Sequence, residues 1–160
     1  MMTTLSSVAR VDLALREADV DANIQTLDAS TRTASEAAAA IGCTVAQIAK
    51  SLIFRGADTG FSILVIASGT NRVDEEKIAV VVGEKVSRAS AEFVREMTGY
   101  VIGGVPPLAH ATPPRWVLVD NDLAQYESVW AAAGTPHSVV CLTPAALLKV
   151  SKGRVADIKH

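Results

Sequence analysis

Several features that would decide the class of this chain outright are scarce or missing. It has only two cysteines, Cys43 and Cys141. They show neither metal-ligand nor redox spacing, and two cysteines do not make a disulfide framework. Both read as small apolar packers rather than nucleophiles. Aromatic residues make up 4% of the sequence, so Val, Ala, Leu and Ile must fill the interior. No apolar run approaches the roughly 18–20 residues of a membrane span. The opening Met-Met-Thr-Thr-Leu-Ser-Ser lacks the charged start and apolar core of a signal peptide. A soluble cytoplasmic protein with no membrane partner is expected. An excess of positive charge is also missing. The formal net charge of −2 argues against a broad basic face, and so against a DNA partner. Any contact with nucleic acid should be local and small.

What the chain does have is length and apolar content. Its 160 residues are 49% hydrophobic, enough for one domain with a proper core. No repeat, linker or low-complexity tract divides it, so one domain over residues 1–160 is the simplest account. Within it, residues 1–28 (a helix, then a strand) are the less distinctive part.

Periodicity and capping residues predict the elements. Leu5, Val8, Val11, Leu15 and Ala18 recur at three- and four-residue steps, predicting an amphipathic helix over 5–18. Asn23–Leu27 alternates like a short strand. Thr33-Ala-Ser-Glu36 and Thr44-Val-Ala-Gln47 each have the form of a capping box. The first opens an alanine-rich helix closed by Gly42; the second opens a short helix expected to end near Lys50. Ser51–Arg55 and Phe61–Ala67 predict a hairpin joined by Gly56–Gly60. Helices are expected over Asp74–Val82 and Ala91–Met97, with Gly83 and Gly99 just past their ends. Further strands are expected at Lys85–Arg88, Trp116–Asp120, Ser128–Ala131, Ser138–Leu142 and Arg154–Ile158. Asp122–Tyr126 reads as a turn or short helical piece, and Thr143-Pro144 starts a last helix in N-cap and N1 order. The fold class is α+β, a mixed, mostly antiparallel sheet that could close toward a barrel, with surrounding helices.

One stretch, Thr98-Gly-Tyr-Val-Ile-Gly-Gly-Val-Pro-Pro-Leu108, stands apart. The run Tyr100–Ile102 is strand-like and empties into Gly103-Gly104-Val105-Pro106-Pro107. Two glycines permit positive φ and close approach of another molecule; two prolines then stiffen the chain and remove N–H donors. The remaining donors, at Gly103, Gly104 and Val105, could form a small anion- or carbonyl-binding nest. Taken alone, the same stretch also reads as a tight turn between two strands.

Three separated features occur in order: Gln47-Ile-Ala-Lys50-Ser51-Leu-Ile, the Thr98–Pro107 loop, and Asp120 at the end of its strand. Together, over residues 30–160, they resemble the YbaK/prolyl-tRNA-synthetase-associated family of aminoacyl-tRNA editing domains. Leu52–Val81 is similar to the same pattern. The resemblance implies a YbaK-like fold and a hydrolase that removes a wrong amino acid from tRNA, most often tRNA for proline. It implies no metal and no organic cofactor. Its expected partners are the acceptor end of a mischarged tRNA and, secondarily, prolyl-tRNA synthetase. By likeness the catalytic set is Lys50, Gly103, Gly104, Val105, Asp120 and His137, with Ser51, Ile102 and Pro107 contacting substrate.

The chemistry fits these residue types. Ester hydrolysis needs a positioned water, donors for the developing oxyanion and a grip on the tRNA end. Loop amides can serve the second need. A lysine where helix gives way to strand can meet the terminal phosphate or the ester. Each residue also has a structural alternative: Lys50 as complement to a helix end, Asp120 as cap of the following turn, and His137 as a surface histidine. His110 and His160 receive no role. Lys149, Lys152 and Arg154 form a cluster that either touches the acceptor stem or is simply solvated.

Departures from the family pattern leave the cleaved residue open. Pro106 stands where many cysteine-specific members have serine. Ser51 replaces the threonine or asparagine that follows the lysine in cysteine-type and alanine-type members. Proline precedes His137 instead of following it. A small side chain (alanine, cysteine, serine or 2-aminobutyrate) is expected. The other class to weigh is a non-catalytic module that binds charged tRNA or a synthetase.

Overall fold

The computed structural model describes residues 5–160; Met1–Thr4, part of the expected 1–160 domain, lie outside the described residues. Among the described residues, five α-helices surround one eight-stranded sheet. The helices are α1 (Ser7–Glu17), α2 (Ala34–Ile41), α3 (Glu75–Val82), α4 (Ala91–Thr98) and α5 (Pro144–Ser151). The strands are β1 (Ile24–Thr26), β2 (Ile48–Gly56), β3 (Ser62–Ser68), β4 (Val86–Arg88), β5 (Trp116–Asp120), β6 (Val129–Ala132), β7 (Ser138–Leu142) and β8 (Arg154–Ala156).

The helix boundaries follow from side chains that satisfy the first-turn N–H groups. Ser6, Thr33, Asp74, Ser90 and Thr143 each accept from a backbone amide at the start of their helix. Gly42, Gly83 and Gly99 end α2, α3 and α4 in the left-handed conformation. The second capping box does form, but around a 3₁₀ turn, Val45–Gln47, with Gln47 Oε1 accepting from the Thr44 N–H at 3.0 Å. The expected helix to Lys50 is therefore cut short. β2 already begins at Ile48, because Ala49 and Lys50 pair with Ser68 and Ala67 of β3.

The order in the sheet is β1-β7-β6-β2-β3-β5-β8, with β4 also on β2. β2–β3, β2–β4, β6–β7 and β1–β7 are antiparallel, whereas β2–β6, β3–β5 and β5–β8 are parallel. The sheet is mixed, as expected, but open. No closed barrel forms, since β1 and β8 end at opposite edges.

β3 is buried along its whole length, which explains its unbroken apolar run. Its side chains alternate between two cores. Leu64 and Ile66 join Val11, Leu15, Val94 and Tyr100 on one face, while Ile63, Val65 and Ala67 join Phe54, Ile78, Leu118 and Ile158 on the other. The last strand is shorter than expected: it stops at Ala156, and Ile158 turns into the second core.

A larger difference concerns Tyr100–Ile102, which is loop, not strand. The chain from Thr98 to Thr112 closes on itself: Ala111 N–H donates to the Thr98 carbonyl (2.9 Å) and Thr112 N–H to that of Met97 (2.8 Å). Tyr100 is swallowed by this loop, 2% exposed, and its hydroxyl donates to the Ala109 carbonyl at 2.8 Å. The result is an Ω-shaped loop packed on its own side chains. Of the apolar triplet only Tyr100 serves the loop's interior; Val101 and Ile102 are 38% and 48% exposed.

Candidate active site

β2 carries two different neighbours on the edge away from β3. β6 pairs with it only at Ile48 and Ala49, and β4 only from Phe54 to Gly56. Lys50, Ser51 and Leu52 are left without a strand partner on that side. A cleft of about 390 Å³ opens there. Splitting a sheet between two neighbours in this way leaves a concave site outside the paired strands, as at the crevices of open α/β sheets.

The cleft brings together Lys50 and Ser51 from β2 with Ile102, Gly103 and Val105 from the Ω-shaped loop. Gly103 has φ 91°, a value that strains any residue with a Cβ. A Cβ there would also lie 2.9 Å from Arg32 Cγ. Gly104 is constrained differently. Its N–H already donates to the Val101 carbonyl at 2.9 Å, and its own carbonyl accepts from Gly134 N–H at 3.0 Å. Among the described residues, the Gly103 and Val105 N–H groups have no protein acceptor. The expected three-amide nest is therefore reduced to two donors, because Gly104 closes the turn and is not in the cleft lining.

Lys50 is half-buried, and its Nζ makes one long contact, 3.5 Å, to the Gly69 carbonyl. Burial pushes its pKa below the usual lysine value, and Arg88 pushes the same way. The Asp120 charge partly offsets both. Gly69 must lack a side chain, since a Cβ would lie 2.2 Å from the Val45 carbonyl oxygen. The Ser51 hydroxyl is buried with no hydrogen-bond partner, so it is an unspent polar group within the lining.

Asp120 has the burial of a site residue but not its position. It is 1% exposed and is absent from the cleft lining. One carboxylate oxygen accepts from Ser68 N–H (3.0 Å) and Asn71 Nδ2 (2.8 Å), the other from Asp122 N–H (2.9 Å). It thus ties the end of β3, and the Ser68–Asn71 turn containing Gly69, to the 3₁₀ turn after β5. His137 is exposed and outside the lining; its carbonyl accepts from Leu27 N–H at 2.7 Å. Pro107 is buried on the other side of its loop, beside a different cavity shared with His110. Lys149, Lys152 and Arg154 do not line the cleft either.

The two other charged residues of the cleft were missed from sequence. Arg32 lies just before the Thr33 cap, and Arg88 ends β4 with its guanidinium 5.9 Å from the Phe54 ring centroid. Neither sits in a motif; only the turn at Pro136, which takes Thr31 N–H and Oγ1, and the β2–β4 register deliver them. With Lys50 they make three cations in a lining that contains no Asp or Glu. The chain is acidic overall, yet this hollow carries a local excess of positive charge. Its inner wall is small and apolar, including Ala37, Ile48, Ala49, Ala131 and Val139.

The comparisons with known proteins decide the family. Residues 28–150 match the aminoacyl-tRNA editing domain. The chain belongs to that family. A crystal structure described as "a putative trans-editing enzyme for prolyl tRNA synthetase" superimposes with a TM-score of 0.90 at 44% identity, covering 99% of both chains. Among curated proteins, the uncharacterized protein YwhH of Bacillus subtilis is 35% identical over 133 residues, 83% of each chain. The "Putative Cys-tRNA(Pro)/Cys-tRNA(Cys) deacylase EbsC" of Enterococcus faecalis is 27% identical over 126 residues, 78% of this chain and 76% of its own. The matched residues 28–150 include the hairpin, the cleft lining and the Ω-shaped loop. Among the described residues no helix is long and apolar enough to cross a membrane.

Proposed function

We propose that this editing-domain protein is a trans-acting deacylase that hydrolyses the ester between a small amino acid and the terminal ribose of a mischarged tRNA, with tRNA(Pro) the first choice. The observation that carries this reading is the cleft itself: three cations, two unpaired loop amides, no carboxylate and a small apolar wall. That combination suits a phosphodiester end carrying a short acyl group. A hydrophobic wall separates near-isosteres by only about 1–3 kcal/mol per methylene, so alanine, cysteine, serine and 2-aminobutyrate are all candidate acyl groups.

In the reaction, a water oxygen adds to the ester carbonyl carbon and the carbonyl electron pair moves onto its oxygen. The Gly103 and Val105 N–H groups donate to that oxyanion; one such donor is typically worth about 2.7–4 kcal/mol of barrier. Collapse expels the ribose oxygen, and the water's proton reaches it through the neighbouring ribose hydroxyl. Free amino acid and uncharged tRNA result, with no net proton or electron left on the protein. Lys50, with Arg32 and Arg88, grips the terminal phosphate. Ser51 and Ile102 contact the acyl group. Gly104 shapes the turn that frees its neighbours' amides, and Pro107 stiffens it. Asp120 acts through the Ser68–Asn71 turn by positioning Gly69 and Lys50. His137, at the solvent side, is assigned to the tRNA end rather than to the reacting atoms. Recognition is confined to the acceptor end, and prolyl-tRNA synthetase is the macromolecular partner proposed beside tRNA.

The test is deacylation of alanyl-, cysteinyl- and seryl-tRNA(Pro) by the purified chain. Release of at least one amino acid above the spontaneous rate is expected. Tight binding without cleavage of any of the three would replace this reading with a non-catalytic charged-tRNA-binding module.

A further inference from the structure

His110, to which the sequence assigned nothing, belongs to the Ω-shaped loop and lies beside its Pro106. Its Nε2 lies 2.7 Å from the Pro106 carbonyl oxygen. A carbonyl only accepts, so this nitrogen carries the proton. Nδ1 is buried and has no partner. The ring meets Tyr100 edge-on at 6.2 Å between centroids, and both belong to the loop whose Gly103 and Val105 amides border the cleft. A second cavity of about 230 Å³ adjoins the ring, walled by groups that include Leu64, Pro113, Val117 and Val150.

We propose that His110 is a positioning residue for the editing reaction: as a neutral imidazole donating to Pro106, it holds the Gly103–Val105 segment in its cleft-bordering arrangement and makes that segment respond to acid. This rests on the deacylase reading for its catalytic consequence, but not for its structural one.

The physical basis is the ring's surroundings. A second proton would go to Nδ1, where no acceptor waits. Lys152 at the end of α5 lines the adjoining cavity, and Arg10 of α1 lies 4.9 Å from the centroid of the Tyr100 ring that touches His110. No carboxylate lines that cavity, and Tyr100, whose ring meets His110 edge-on, has its own pKa raised by burial. Burial therefore pushes the His110 pKa below 6.5, outweighing the bond to Pro106, which alone would raise it. A base whose folded pKa is depressed favours the native arrangement fully above its ordinary value, and progressively less as pH falls below it. In acid the ring must move to find water or an acceptor, and Pro106, one residue from Val105, moves with it.

The test is a proton–nitrogen NMR titration of the intact protein, following the His110 ring and the Gly103 and Val105 amides. His110→Gln keeps an N–H donor without a titration, and His110→Met removes both. In the unmodified protein the two amides should shift with the midpoint of the His110 ring. In His110→Gln they should hold their neutral-pH positions throughout. In parallel, kcat should fall below neutrality in the unmodified protein but not in His110→Gln, and His110→Met should lose about tenfold in kcat with KM little changed. Loop amides that ignore the ring, or that titrate equally in His110→Gln, would overturn the proposal. The NMR arm needs no substrate, so it judges the loop even if no mischarged tRNA is cleaved. If the variants do not fold, the titration of the unmodified protein alone decides.

Discussion

The ammonium of Lys50 rests 3.5 Å from the carbonyl oxygen of Gly69, at the place where β2 has lost one neighbour strand and not yet gained the next. A long contact to a neutral carbonyl leaves most of the charge unmatched, and Arg88 raises the local positive potential further. Lys50→Ala should therefore lower deacylation about ten- to a hundredfold, as expected for a charged hydrogen bond of roughly 1.5–3 kcal/mol. Its melting temperature should stay close to that of the parent. Full activity on every mischarged tRNA tried would remove Lys50 from the site.

Gly103 is pinned by conformation and by space at once. Its φ of 91° and the 2.9 Å approach of Arg32 Cγ to a hypothetical Cβ act together. Left-handed backbone alone costs a residue with a side chain about 1–2 kcal/mol. Gly103→Ala should reduce kcat more than Lys50→Ala does, because it turns the amides rather than loosening the substrate. Single-turnover rates would tell the two apart; an alanine variant with unaltered chemistry would show that the amides are not used.

Asp120 should behave as a structural acid. Asp120→Ala strands the buried Ser68 N–H and takes away one of the two acceptors of Asn71 Nδ2, and a buried donor left unpaired costs about 1–3 kcal/mol. Thermal denaturation should show Tm lowered by several degrees, with activity falling alongside stability. A fully stable Asp120→Ala protein that had lost only kcat would instead put the carboxylate at the reacting atoms.

Acid should act on stability through Asp122. Lys159 Nζ donates to its carboxylate at 2.6 Å and Asn71 Nδ2 at 2.8 Å, and these bonds hold its pKa below 3.8. A carboxyl depressed in the folded state stabilises fully above its unfolded pKa, and that contribution is lost as pH falls through the folded value. Urea midpoints measured downward from pH 5 should decline less steeply in Asp122→Asn than in the parent chain. Parallel declines would mean that the ion pair is too well solvated to matter.

The elements themselves were legible because their signals are local. A threonine or serine that accepts from an amide three residues on, and a glycine that takes positive φ, act within one turn of helix. The same logic misread Tyr100–Ile102. An apolar triplet looks alike whether it joins a sheet or a closed loop that buries only its tyrosine, and the bonds from Ala111 and Thr112 that settle the matter come from beyond it. The 3₁₀ turn at Val45–Gln47 fell to the same cause, since β3 claims Ala49 and Lys50 for pairing.

Residue type and order by themselves determined the α+β class, the hairpin and the caps, and resemblance to the editing family paired Lys50 with the glycine–proline loop. Tertiary structure alone decided which groups share the cleft: it brought in Arg32 and Arg88, left Asp120 and His137 out, spent the Gly104 amide on Val101 and turned His110 against Pro106. The reason is range. Capping and alternation depend on neighbours a few residues away, whereas a cleft is made by strands and loops that meet across the chain, and no single stretch of sequence carries that meeting.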